Sequence, residues 1–165
     1  MEHVEGDLEG KECQIAIIVS KFNETVTARL LAGATATFEQ LGTPDDHIHV
    51  FHVPGAFELP LVAKTLGRTG RFDAIVCLGC VIRGDTPHFD YISAETSRGI
   101  SNAALQTGIP TVFGVLTTDT VEQAMQRSDS SGSNKGADAA RTAVEMIRLM
   151  KKIGEHHVPQ LGFLK

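Results

Sequence analysis

Four short apolar runs alternate with longer helical patterns, and this alternation constrains the fold more than any other feature of the chain. The apolar runs cover residues 13–20, 47–53, 73–80 and 111–116. Apolar residues recur at helical spacing over residues 26–41, 56–67, 87–107, 121–127 and 137–153. Strands joined by helices of this length pair in parallel. We therefore predict an α/β fold of three layers, with a four-stranded parallel sheet between two layers of helices. The run at 47–53 is the most polar, which indicates an edge strand.

The segment 79–91 follows the most continuously apolar run and carries the first sign of a functional site. Thr86 is a favourable N-cap and Pro87 suits the first helical position, which places His88 in the first helical turn. Unpaired N–H groups and the helix dipole favour an anion there. Open α/β sheets bind ligands where their strands end. A titratable imidazole at that edge therefore predicts chemistry on an anionic ligand.

Other strand ends are predicted to meet at the same edge of the sheet. They are Phe22, residues 54–55, residues 80–84 and Phe113. Glu58 lies just beyond one of these ends. It either stabilises a helix start through the dipole or faces the same crevice as His88.

Three alternative readings of this region are weaker. Residues 79–86 have the outline of a P-loop, but Asp85 stands where the phosphate-binding lysine is required. Cys77 and Cys80 form a C-x-x-C, yet their position in a strand favours buried structural thiols over a redox pair. His88 itself is either functional or a capping and packing residue.

A metal site is not predicted. His47 and His49 are placed on one face of the edge strand, but no cysteine or carboxylate completes a ligand set around them. Solvated histidines on an exposed edge are the simpler interpretation.

Length and composition predict one domain over residues 1–165. Residues 1–10 form a polar arm with little to hold it down, residues 128–136 resemble a linker, and residues 155–165 resemble a tail. The arm is a candidate for pairing with a sheet edge.

The net charge and the cysteine content limit which partners and which cellular compartment we expect. A net charge of −5 argues against nucleic acid as a partner. Three cysteines, an odd number, fit a reducing compartment. No apolar run is long enough for a bilayer, and the start of the chain is too acidic for a signal peptide. We expect a cytoplasmic protein, or an organellar one if a transit peptide has been removed, with no membrane partner.

Five motifs, taken together and in order, resemble those of the lumazine synthases, the penultimate enzymes of riboflavin synthesis. They occupy residues 20–23, 53–60, 79–91, 113–117 and 134–136, and the resemblance covers nearly the whole chain. It implies a flavodoxin-like fold. It also implies condensation of 5-amino-6-(D-ribitylamino)uracil with 3,4-dihydroxy-2-butanone 4-phosphate, releasing phosphate and water. No metal or organic cofactor is implied.

The resemblance also implies a binding site for the aminouracil. The ring would stack on Phe22 and be read by backbone groups at the end of the third strand, while residues after the second strand hold the pyrimidine edge and the ribityl chain. These two groups are Cys80, Val81 and Ile82 for the ring, and Ala56, Phe57 and Glu58 for the edge and chain. Cys80 departs from the small β-branched residue common in the family, but recognition there is through the backbone.

The same resemblance implies roles in phosphate binding and proton transfer. Backbone amides of Asp85 and Thr86 would hold the phosphate, which requires the Asp85 side chain to point outward. Arg127 and Phe113 would come from a neighbouring subunit. His88 would shuttle protons, and an imidazole suits that task near neutral pH.

Members of the family assemble as pentamers, and some as shells of twelve pentamers, so a homo-oligomer with sites between subunits is implied. Asn23 and Lys135 are further candidate site residues, and riboflavin synthase is a candidate partner. Two other functions stay open: a non-catalytic oligomer that binds a flavin-like or pterin-like ligand, and a thiol–disulfide protein using Cys77 and Cys80.

Overall fold

The computed structural model describes residues 1–156. Four parallel strands form one sheet in the order β2-β1-β3-β4. The strands are β1 (Ile15–Ser20), β2 (Ile48–Val53), β3 (Ala74–Ile82) and β4 (Thr111–Thr118). The helices are α1 (Glu24–Gln40), α2 (Leu59–Gly67), α3 (His88–Thr107), α4 (Val121–Gln126) and α5 (Lys135–His156), with short 3-10 turns at Asp45–His47 and Ala56–Glu58.

The two central strands are buried on both faces, as their apolar sequences predict. All of β1 and all but the last residue of β3 are buried. Alternate side chains of these strands belong to two separate apolar clusters. One cluster packs against α1, α4 and α5, and the other against α2 and α3. The predicted three-layer α/β fold is therefore confirmed.

The strands β2 and β4 lie at the two edges of the sheet. Because β2 pairs only with β1 and β4 pairs only with β3, each has a free edge within the described residues. Exposure along β2 is mixed, which confirms the predicted edge strand. His47 falls in the 3-10 turn before β2, so it does not share a strand face with His49 as we expected.

Several element boundaries differ from the sequence-based prediction. Strands β3 and β4 each extend two residues further, because Val81 and Ile82 continue the ladder opposite Thr117 and Thr118. Helix α3 begins at His88 with Pro87 at the cap position and no side-chain cap. The prediction that Thr86 caps this helix was therefore wrong by one residue, although His88 does lie in the first turn.

The segment 128–136 is not a flexible linker. Ser128 and Asn134 are buried and form an isolated antiparallel bridge. The Asn134 side chain accepts hydrogen bonds from the N–H groups of Gly136 and Ala137, so it caps the start of α5. Sequence reasoning started this helix at residue 137 and missed the cap.

The arm is also held more firmly than we expected. Asp7 forms ion pairs with Arg148 and Lys152 of α5, at 2.8 and 3.3 Å. The N–H of Gly10 donates to the carbonyl of Leu41, after α1. The segment therefore has partners within its own chain. Residues 157–165 of the predicted tail lie outside the described residues.

Candidate functional site

A cleft of about 600 Å³ opens beyond the carboxyl ends of β1, β2 and β3. Its volume falls in the range of small-molecule sites. Most of the residues predicted for substrate binding line it, together with His88. The lining residues are Phe22, Asn23, Pro54, Gly55, Ala56, Phe57, Glu58, Cys80, Val81, Ile82, Gly84, Thr86, His88, Phe89 and Ile92.

The turn after β1 presents an aromatic face to the cleft. Asn23 adopts a left-handed conformation (φ 58°, ψ 45°), which asparagine tolerates better than most residues. Asn23 occupies the N-cap position of α1, but its side chain makes no capping hydrogen bond. Instead, Nδ2 donates to the carbonyl oxygen of Cys80 at 2.8 Å. Phe22 is anchored through its N–H to Pro54, while 71% of its surface is exposed and open to a ring.

The end of β3 has backbone groups that β1 does not cover. Pairing between the two strands stops at Val19 and Leu78, whereas β3 continues to Ile82. Because backbone groups alternate in direction along a strand, those of Cys80 and Ile82 face the side that β1 has left. The Asn23 side chain donates to the Cys80 carbonyl. Ile82 also lines the cleft, and its backbone groups face the side where β1 has ended.

Val81 contributes in a different way from the one we expected. The N–H groups of Ile75 and Arg83 donate to carbonyl groups on the β4 side of β3. Val81 is an even number of residues away from both, so its backbone groups point in the same direction. Its backbone groups therefore point at β4, opposite Thr117, and away from the side that β1 has left. Val81 lines the cleft, but the direction of its backbone groups does not favour backbone recognition at this position.

The turn after β2 forms the opposite side of the cleft. One carboxylate oxygen of Glu58 accepts a hydrogen bond from the N–H of Gly55 at 2.9 Å. This bond stabilises the 3-10 turn, which is a structural role other than the dipole effect considered from the sequence, and Glu58 also lines the cleft. Ala56 is buried beneath the turn, and Phe57 is 57% exposed.

The connection from β3 to α3 leaves peptide donors available. Within the part of the chain that the structure describes, no hydrogen bond uses the N–H of Asp85 or Thr86. The Asp85 side chain is exposed and is not part of the cleft lining. His88 is exposed at the first position of α3, which excludes packing in the core as its role.

Phe113, Arg127 and Lys135 lie elsewhere. They line a separate groove of about 660 Å³ along the outer edge of β4, and this groove shares no lining residue with the cleft. Phe113 is the third residue of β4 and pairs with Cys77. The prediction that Phe113 lies at the carboxyl edge of the sheet was therefore wrong, since it occupies the amino-terminal half of its strand.

The groove brings two cationic side chains together. Arg127 directly follows α4 and Lys135 begins α5, and the Lys135 N–H donates to the Arg127 carbonyl at 2.9 Å. Lys135 Nζ also pairs with Asp138 at 2.8 Å. Both side chains are exposed. One chain thus carries a cleft with His88 and, apart from it, a groove with two cations.

The C-x-x-C does not form a redox pair. Cys77 and Cys80 belong to the apolar clusters on opposite faces of the sheet. Three residues of strand separate their Cα atoms by roughly 10 Å, beyond the reach of a disulfide. Burial raises the pKa of Cys77 to about 12 and that of Cys80 to about 11. A disulfide between Cys77 and Cys80 is therefore excluded, and a thiol–disulfide function is not favoured.

Metal binding has no support in the described residues. Between residues 1 and 156 there is no group of three or more histidine, cysteine or carboxylate side chains that could hold an ion. His49 packs its ring edge-on against Phe72, with centroids 5.5 Å apart. No helix in the same range has the length and hydropathy needed to cross a bilayer.

Sequence reasoning missed two residues that shape these sites, Arg83 and Asn134. Arg83 bonds to Asp90 and Asp119, which are close to the cleft and to the start of α4 respectively. A charged residue directly after a buried strand was a usable signal for it. Asn134, directly before α5, carried an N-cap signal.

The fold and the cleft define a three-layer α/β protein with a small-molecule site at the carboxyl edge of its parallel sheet. A family model described as 6,7-dimethyl-8-ribityllumazine synthase matches residues 12–151. A protein of Syntrophus aciditrophicus (strain SB), named 6,7-dimethyl-8-ribityllumazine synthase, is 54% identical over 149 residues, which cover 90% of this chain and 97% of that protein. The chain belongs to the 6,7-dimethyl-8-ribityllumazine synthase family, which confirms the resemblance found in its motifs.

Proposed function

We propose that this chain condenses 5-amino-6-(D-ribitylamino)uracil with 3,4-dihydroxy-2-butanone 4-phosphate to 6,7-dimethyl-8-ribityllumazine, phosphate and water. The chain is a transferase of riboflavin biosynthesis by its family, and the relative named above supports the same reaction. The observation that carries the proposal is the exposed His88 in a cleft of fitting size, with two unused peptide donors on the segment just before it.

The aminouracil binds in the cleft of the His88 chain. Its ring stacks on the open face of Phe22, and the backbone of Ile82 supplies donor and acceptor groups at the ring edge. The turn at Ala56–Glu58 holds the pyrimidine edge and the ribityl chain. Asn23 supports this arrangement by fixing the Cys80 carbonyl, which leaves its own Oδ1 for the ligand.

The phosphate of the butanone binds at the amides of Asp85 and Thr86, where the start of α3 adds a positive dipole. A doubly negative leaving group needs further fixed charge, and the planar fork of Arg127 suits it. His88 moves protons during imine formation, phosphate elimination and ring closure, a task to which an imidazole is suited near neutral pH.

These roles require more than one chain at each site. Arg127, Lys135 and Phe113 lie in the groove along β4, which is separate from the cleft that holds His88. We propose that the groove of one subunit closes the cleft of the next, in a homo-oligomer whose monomer is inactive. A pentamer, or a shell of twelve pentamers, is the assembly implied by the family. We further propose a cytoplasmic location, with riboflavin synthase as a candidate partner.

The non-catalytic ligand-binding oligomer differs from this proposal in one measurable respect. It predicts binding of the aminouracil or of a flavin without product formation. The synthase predicts faster appearance of the fluorescent lumazine than the spontaneous condensation of the same two substrates.

The test is to mix pure protein with both substrates and follow lumazine fluorescence against a protein-free control. We expect a rate that rises in proportion to protein concentration. Cys77→Ala is a matched variant, because it removes half of the C-x-x-C without touching the cleft, and it should keep most of the turnover. Absence of acceleration by wild type would overturn the proposed function.

A further inference from the structure

The guanidinium group of Arg83 is bonded both to the segment that carries His88 and to the segment that leads to Arg127. Arg83 follows β3, and its N–H donates to the carbonyl of Thr118 at the end of β4. Its Nε donates to an oxygen of Asp119 at 3.0 Å, and Nη1 donates to an oxygen of Asp90 at 3.1 Å. The guanidinium also lies 4.2 Å from the centre of the Phe89 ring.

The partners of Arg83 sit at the starts of two helices. Asp90 is two residues after His88, in the first turn of α3, and Phe89 between them lines the cleft. Asp119 precedes Thr120, whose hydroxyl caps α4 by accepting from the Gln123 N–H. Helix α4 is six residues long, and Arg127 is the residue that caps its carboxyl end. The same side chain therefore holds the helix that carries His88 and the helix that carries Arg127.

Stability is not the main consequence of this cluster. The side chains of Arg83, Asp90 and Asp119 are 44%, 59% and 68% exposed. Exposed ion pairs contribute little to folding. Their geometry is nonetheless specific, because one planar guanidinium group contacts two carboxylates and the face of an aromatic ring. The ammonium group of a lysine cannot reproduce these contacts. Small displacements of catalytic groups have large effects on rate.

We propose that Arg83 is a positioning residue, which sets the first turn of α3 and the start of α4 so that His88 and Arg127 each face their substrate. This inference rests on the proposed function. In the proposed oligomer, the cleft of one chain belongs to one active site and its groove belongs to the active site of a neighbouring subunit. Arg83 therefore positions residues of two different active sites.

The first test compares Arg83→Ala with Arg98→Ala. Arg98 is a matched control, because it is also on the surface of α3 and pairs with a carboxylate, Glu95, at 3.6 Å. We expect Arg83→Ala to lower kcat by roughly 10- to 100-fold. The KM for the aminouracil should stay within about twofold, because Phe22 and the Glu58 turn do not depend on Arg83. Arg98→Ala should match wild type.

Conservative and partner variants make the test specific. Arg83→Lys should recover only part of the lost kcat, since an ammonium group cannot span both carboxylates. Asp90→Asn and Asp119→Asn should each lower kcat, and adding either to Arg83→Ala should cost little more, because the three act as one unit. Full recovery with lysine, or wild-type kcat in Arg83→Ala, would overturn the proposal. If Arg83→Ala does not fold, wild-type kcat in both asparagine variants would overturn it.

Hydrogen–deuterium exchange gives a readout that does not depend on activity. We expect faster exchange in Arg83→Ala at residues 84–92 and 119–127, and no change there in Arg98→Ala. Unchanged exchange at both segments would refute the positioning role, even if wild type proved inactive. An inactive wild type with the expected exchange pattern would instead reject only the proposed function.

Discussion

The backbone N–H of Lys135 donates to the carbonyl oxygen of Arg127 at 2.9 Å, although eight positions separate the two residues. The intervening loop closes because Ser128 and Asn134 pair across it. Two cations that are distant in sequence therefore share one groove. The side chain of Asn134 supports this loop with four hydrogen bonds, two donated by Nδ2 and two accepted by Oδ1.

Asn134→Ala should destabilise the protein and weaken use of the phosphorylated substrate. Its Nδ2 donates to the carbonyls of Arg29 and Ser128, and its Oδ1 accepts from two N–H groups of α5. Loss of these bonds from a buried position should cost about 2–4 kcal/mol. Thermal unfolding at fixed protein concentration measures the effect. Ser133→Ala, at an exposed neighbour in the same loop, should unfold as wild type does. Equal stability of the two variants would contradict the anchoring role.

His88→Ala should lower kcat by roughly ten- to a thousandfold, the range of general acid–base effects. Substrate binding should change less, because the Phe22 face and the free amides remain. Steady-state kinetics with saturating butanone phosphate measure the loss, and His3→Ala, an exposed histidine of the arm, serves as the control. A His88→Ala enzyme with wild-type kcat would remove proton transfer from the proposed role of this residue.

The three cysteines should be unreactive in the folded protein. Cys13, Cys77 and Cys80 are free and buried, and burial raises the pKa of Cys13 and Cys80 to about 11 and that of Cys77 to about 12. Because the thiolate is the nucleophile, a chromogenic disulfide reagent at pH 8 should react slowly. Unfolding in guanidinium should release all three thiols. Rapid reaction of two thiols in the folded state would show that the strand assignment of the C-x-x-C is mistaken.

The arm should contribute to stability in a pH-dependent way. Hydrogen bonds from Arg148, from the Glu9 N–H and from Lys152 lower the pKa of Asp7 to about 2. A carboxylate whose pKa is depressed on folding stabilises the folded state above its unfolded pKa of about 4, and this contribution is lost as the pH falls toward 2. The melting temperature of Asp7→Asn should therefore lie below that of wild type at pH 7.

The corresponding measurement is thermal unfolding of both proteins from pH 7 to pH 2.5. The difference between them should be constant above pH 5 and should shrink below pH 4. Asp46→Asn, at an exposed carboxylate in the turn before β2, should show no such trend. A difference that does not change with pH would mean that Asp7 acts through packing rather than through its charge.

The sequence by itself determined the layers of this protein. Periodicity distinguishes buried strands from helices with one apolar face, and strands separated by helices pair in parallel. The position of His88 in the first turn of α3 also followed from local signals, since a proline fits only at the start of a helix. These features depend on residues close together in the chain.

Only the tertiary structure decided which residues meet across the sheet. Arg83 reaches Asp119 over 36 positions, Asn23 reaches Cys80 over 57, and Asn134 reaches Arg29 over 105. The placement of Phe113 in a groove apart from His88 depended likewise on the position of β4 at the edge of the sheet. A local pattern reports burial and backbone conformation, whereas a long-range contact depends on strand order, register and helix packing, which no short segment encodes.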